Sequence, residues 1–186
     1  EVATQMVDAA LKMGVRHIDT ARRYANEKPV GAGIRGSGVP REDIFVTSKV
    51  WWEDLEPARF EQAAEAALAD LDIGYLDLLL IHWPNPAVPL ADTLKALAAV
   101  KRRGLTRHIG VANFPIALVE EAVATCDEPL VGNQVEFHPY LDQSRLLATC
   151  RAHGLALTAY SPLAVGRIVK DPLIGEIAAA RGALQG

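Results

Sequence analysis

The feature that most constrains this chain is a repeat. Short apolar runs of strand character recur at Val15–Thr20, Ile44–Lys49, Leu76–His82, His108–Ala112, Gly132–His138 and Ala156–Ser161. Between them, apolar residues fall at three- and four-residue spacing, most clearly at Val2–Met13, Ala58–Leu71, Leu90–Arg103, Ile116–Thr125, Gln143–His153 and Pro172–Ala180. That is the period of helices with one buried face. Gly14, Gly74, Gly104 and Gly154 each follow such a stretch, where a left-handed cap favours a residue without Cβ. The strand runs are too apolar for a sheet with one wet face, so they read as parallel and covered by helices. Strand following helix every 25–30 residues or so is an α/β fold.

Two α/β architectures compete, an open doubly wound sheet and a closed (β/α)8 TIM barrel. An open nucleotide-binding sheet carries G-x-G-x-x-G after its first strand. The nearest approach, GAGIRGSG at Gly31–Gly38, follows a helix start instead and reads as a helix with its exit turn. Polar residues instead gather where strand after strand ends: Asp19, Lys49, His82, Asn113, Glu136 with His138, and Tyr160 with Ser161. A ring of functional groups at the C-terminal mouth is what a barrel builds. The reading is therefore a barrel with strands 2 to 7 visible and the first and last missing. Without Pro- or Gly-rich linkers, residues 1–186 are expected to be a single domain, truncated at both ends.

Composition narrows the partners. A formal net charge of -4 and a pI near 5.7 supply no basic surface for nucleic acid or an anionic membrane. The longest apolar run, Leu76–Ile81, is broken by Asp77 and is too short to span a bilayer. The chain opens in an amphipathic helix rather than a signal peptide, so a cytoplasmic monomer is expected. Cys126 and Cys150 lie in helix-like stretches as buried apolar residues, and no spacing suggests a metal.

Three segments carry chemistry: HIDTARRYANE at His17–Glu27, FVTSKVW at Phe45–Trp51 and LLLIHWP at Leu78–Pro84. Singly, Asp19, Tyr24, Lys49 and His82 are ordinary. Together they compose a carbonyl reduction, which needs a hydride on carbon and a proton on oxygen. A phenol with a pKa near 10 is a weak acid unless its anion is stabilised. The Lys49 ammonium would supply that stabilisation, Asp19 would hold the ammonium charged, and His82 would orient the carbonyl oxygen.

These motifs resemble the aldo-keto reductase family, in particular bacterial members of the 2,5-diketo-D-gluconate reductase kind. The resemblance is colinear over nearly the whole chain. It implies a (β/α)8 barrel, NADPH as cofactor with NADH left open, and a small dicarbonyl or keto-sugar acid as substrate. It places Asp19, Tyr24, Lys49 and His82 in the family's catalytic tetrad. IGVANF at Ile109–Phe114 and GNQVEFHPY at Gly132–Tyr140 bring Asn113 and Gln134 onto the nicotinamide carboxamide. TAYSPLA at Thr158–Ala164 puts Tyr160 under the nicotinamide ring, with Ser161 and Leu163 near the pyrophosphate. Ala112 stands where the family usually has Ser, which predicts weaker cofactor binding by one hydrogen bond of ~0.5–1.5 kcal/mol. The family's segment for the adenosine 2′-phosphate would lie beyond Gly186.

Trp51 and Trp83, which follow strand ends, are expected to line the substrate pocket. Glu136 and His138 touch substrate or cofactor, or serve buried hydrogen bonds. His17, His108 and His153 read as structural or surface residues. A Schiff-base aldolase using Lys49 is a rival, disfavoured because a paired Asp19 would raise the lysine pKa. A cofactor-binding regulatory subunit of the same fold is a second rival, set against a complete tetrad and no additional partner-binding segment.

Overall fold

The computed structural model describes residues 1–184. Helices and strands alternate along it: α1 (Val2–Lys12), β1 (His17–Asp19), α2 (Glu27–Gly36), β2 (Phe45–Val50), α3 (Pro57–Leu71), β3 (Leu76–Ile81), α4 (Leu90–Arg102), β4 (Thr106–Ala112), α5 (Ile116–Thr125), β5 (Leu130–Glu136), α6 (Ser144–Ala152), β6 (Ala156–Tyr160) and α7 (Pro172–Ala180). The six strands form one sheet in chain order, every adjacent pair parallel, with β1 and β6 at its edges. The four glycines expected as caps all have positive φ, from 71° to 100°. β1 is shorter than its apolar run, because pairing with β2 covers only His17, Ile18 and Asp19.

The two faces of the sheet differ as period-two alternation requires. Val46, Leu79, Ile81, Ile109, Val111 and Val135 are buried and belong to one apolar core with Leu71, Leu94, Leu97 and Val119 of the helices. The opposite face carries His17, Asp19, Gln134, Thr158 and Tyr160 around an open cavity. That face is concave. Gln134 of β5 donates to Asp19 of β1 at 2.9 Å. Strands four apart in a flat sheet stand about 19 Å apart, from four spacings of about 4.8 Å. Only tight curling brings those two side chains together, so the sheet is six consecutive strands of a barrel wall.

GAGIRGSG is helix and exit turn, as expected, and its glycines have a packing role. A Cβ on Gly31 would meet the Leu71 carbonyl oxygen at 1.9 Å, and one on Gly33 the Thr4 carbonyl oxygen at 2.7 Å. α2 thus lies against α3 on one side and α1 on the other, with no room for a side chain. Asp77, which interrupts the β3 run, is buried and accepts from Arg41 at 2.7 Å and from the Val46 amide at 2.9 Å. Among the described residues no helix is long and apolar enough to cross a membrane.

Candidate active site

The residues singled out at successive strand ends meet at one end of the sheet. Asp19 ends β1, and a short 3-10 turn, Arg22–Tyr24, presents the phenol before the chain reverses through Ala25 at φ 51°. Lys49 lies near the end of β2, and its Nζ pairs with Asp19 and donates to the Thr20 carbonyl at 3.0 Å. His82 follows β3, its ring edge-on to Tyr24 at 5.7 Å and to Trp51 at 5.0 Å between centroids. The Lys49 ammonium stands 5.4 Å from the Tyr24 ring centroid.

The next three strands complete the wall. Asn113 follows β4 at φ 62°, a left-handed conformation that Asn tolerates better than most residues. Its Nδ2 donates to the His82 carbonyl at 2.9 Å, and its Oδ1 accepts from the Tyr160 hydroxyl at 2.9 Å. Ser161, just after β6, is also left-handed at φ 49°. Asp19, Tyr24, His82, Trp83, Asn113, Gln134, Tyr160 and Ser161 border a single cavity of about 660 Å³.

Burial governs the charges here. It pushes the His82 imidazole down from 6.5 to about 4, with Lys49 adding to the effect and Asp19 opposing it. His82 is therefore neutral in the physiological range. Two expectations need correction. The Tyr24 phenol is pushed above its ordinary value, by burial first and then by the charge of Asp19 and by Tyr160. The ammonium is already matched by Asp19 and the Thr20 carbonyl, so it does not make the phenol more acidic. Lys49, 1 % exposed, is pushed down by burial, which outweighs the upward pull of Asp19. Pairing with Asp19 thus does not by itself keep Lys49 from Schiff-base chemistry. Access does, since Lys49 lies behind the cavity wall and points its amine at Asp19 and Thr20.

The remaining expectations divide. Trp83 borders the cavity, 45 % exposed, whereas Trp51 stands outside it, braced against His82 with Arg23 above its ring at 5.3 Å. Leu163 is exposed and does not reach the cavity, and Ala112 is buried in β4 with Gln134 as its register partner. Glu136 and His138 bond to each other at 3.2 Å. His17 borders the cavity and bonds to Thr47 at 2.9 Å, and His108 stacks on Phe45.

Glu27, Arg22 and Ser48, none of them singled out at a strand end, form a bonded cluster directly behind the site, with Glu27 and Ser48 buried and Arg22 half-buried. A signal was present. In FVTSKVW, Thr47 and Lys49 share one face, so Ser48 must enter the helix-covered face, where a hydroxyl requires a partner.

The family model described as "Aldo/keto reductase family" matches residues 1–178. The chain belongs to the aldo/keto reductase family. Among its relatives is methylglyoxal reductase DkgB of Escherichia coli O157:H7, 41% identical over 186 residues, covering 98% of this chain and 70% of that protein. Glyoxal reductase of Bacillus subtilis is 44% identical over 176 residues, covering 95% of this chain and 63% of that protein. A crystal structure provisionally named 2,5-diketo-D-gluconic acid reductase B superposes with a TM-score of 0.95 at 43% identity, over 97% of this chain and 64% of that one. This chain therefore spans between three fifths and three quarters of the length of these aldo/keto reductases.

Proposed function

We propose that the protein reduces the carbonyl of a small dicarbonyl or keto-sugar acid to an alcohol, with NADPH as reductant. The observation that carries this reading is the convergence of Tyr24 and His82, backed by the Lys49–Asp19 pair, on a cavity also bordered by Asn113, Gln134 and Tyr160. The names of the relatives, reductases of methylglyoxal, glyoxal and diketo-gluconic acid, point to the same substrate class.

The residues present fit a nicotinamide. Two side-chain amides suit its carboxamide, Asn113 and Gln134, and the Tyr160 ring borders the same cavity. Their hydrogen bonds to His82, Tyr160 and Asp19 keep these amides oriented, and binding exchanges some of them. When bound, the reduced nicotinamide supplies the hydride. Tyr24 then passes its proton to the carbonyl oxygen as that oxygen becomes alkoxide-like. A phenol held above its ordinary pKa is fully protonated at neutral pH and is a competent donor to so basic an atom. His82, neutral, directs the carbonyl oxygen toward Tyr24. Lys49 and Asp19 fix the local field and the loop that carries the phenol.

Tyr24→Phe tests this reading. Steady-state NADPH oxidation with methylglyoxal should fall by on the order of 10²–10⁴-fold. Cofactor affinity, read by fluorescence quenching, should change little. Near-normal turnover in that variant would remove Tyr24 from its role and the reading with it.

A further inference from the structure

Glu27 has no place in the chemistry above, yet its carboxyl is 2 % exposed. Burying a carboxylate is costly unless it is paired and hydrogen-bonded, so its partners indicate its use. Glu27 opens α2, three residues after Tyr24. Ser48 Oγ donates to its Oε1 at 2.6 Å, and Arg22 Nη1 donates to its Oε2. The same Arg22 nitrogen also donates to Asp70 of α3 at 2.8 Å. Ser48 immediately precedes Lys49 in β2, and Arg22 begins the turn that Tyr24 ends. One carboxylate is thus bonded to the strand bearing the ammonium and to the turn bearing the phenol. The Tyr24 side chain has little packing of its own to hold it, at 49 % exposed, so its place depends on how its turn is anchored.

We propose that Glu27 is a positioning residue: its carboxylate, shared between Ser48 and Arg22, sets the separation of Tyr24 from Lys49 and His82 and so the efficiency of proton donation. This rests on Tyr24 being the donor, as proposed above. Thr20 Oγ, bonded to Asn26 Oδ1 at 2.7 Å, ties the same loop at a second point. Loss of Glu27 therefore shifts the turn without releasing it.

The test compares Glu27→Gln and Ser48→Ala with the unaltered protein. Gln keeps an acceptor for Ser48 but turns an amide N–H₂ toward Arg22; Ala fits the buried Ser48 site and removes only one of the two donors. A displacement near 1 Å reduces turnover by up to ~10²-fold, so kcat in Glu27→Gln should fall about ten- to a hundredfold with KM and cofactor Kd within about twofold. The alkaline limb of the kcat profile should move downward as the phenol draws away from the burial and the Asp19 charge that hold its pKa up, and Ser48→Ala should do the same to a smaller extent. A lower melting temperature with unchanged kcat and unchanged limb in both variants would make Glu27 merely structural and overturn the proposal. If Glu27→Gln does not fold, Ser48→Ala decides by the same two readouts. Tyr24→Phe measured alongside separates the failures. An inactive Tyr24→Phe with unaffected Glu27→Gln and Ser48→Ala sinks only the positioning role, whereas an active Tyr24→Phe sinks the donor assignment and the positioning role together.

Discussion

His82 offers a test of the site's electrostatics that needs no substrate. Its ring is 8 % exposed, and its Nδ1 has no hydrogen-bond partner among the described residues. Burial, with help from Lys49, lowers its pKa from 6.5 to about 4. Between those values the unfolded chain binds a proton that the folded chain refuses, so stability is lost as pH falls through this window. At 1.36 kcal/mol per unit, the shift from 6.5 to about 4 is worth about 3 kcal/mol at pH 4. Against a typical total of about 5–15 kcal/mol, that is a measurable share. Urea unfolding at pH 7 and pH 4 should show the unaltered protein losing about 3 kcal/mol more than His82→Gln over that interval. The packing change in the variant is the same at both pH values and cancels, as do the carboxylates common to both proteins. Equal losses in the two proteins, or an NMR titration of the His82 ring near its unperturbed value, would refute the claim that the ring is held neutral by burial.

Lys49→Met leaves Asp19 without its cation and the Thr20 carbonyl without its donor. Turnover with methylglyoxal should fall on the order of 10²-fold or more, and a loss of only a few-fold would break the link between the pair and Tyr24. Gly31→Ala forces a methyl onto the Leu71 carbonyl and should destabilise by at least ~1–3 kcal/mol in thermal unfolding. Gly36→Ala, in the same helix with open space around it, should be neutral or slightly stabilising. Equal melting temperatures for the two glycine variants would show that α2 can move away from α3.

Much of the fold was legible because its signals are local. Helical period, glycine caps and continuous apolar strands each depend on a few neighbouring residues. Together they require a parallel sheet covered by helices, and the polar residue closing each strand marks the mouth. Asp19, Tyr24, Lys49 and His82 were legible for the same reason, each at, near or just beyond the end of a strand. Charge balance was not legible, because it depends on depth and distance. The rule that a carboxylate raises a lysine pKa and an ammonium lowers a phenol pKa is correct pair by pair. In the folded site, burial acts on Lys49 more strongly than Asp19 does, and on Tyr24 it acts in concert with Asp19.

By itself, then, the amino-acid sequence determined which residues face the concave side and in what order they line the mouth, since alternation and chain order follow from backbone geometry. Tertiary structure alone decided which of them touch. The curl of the sheet brings Gln134 of β5 to Asp19 of β1, and the start of α2 buries Glu27 between Arg22 and Ser48. Trp83, rather than Trp51, reaches the cavity through the path of its loop. These are contacts between residues far apart in the chain, set by how helices and strands pack, and no local pattern encodes them.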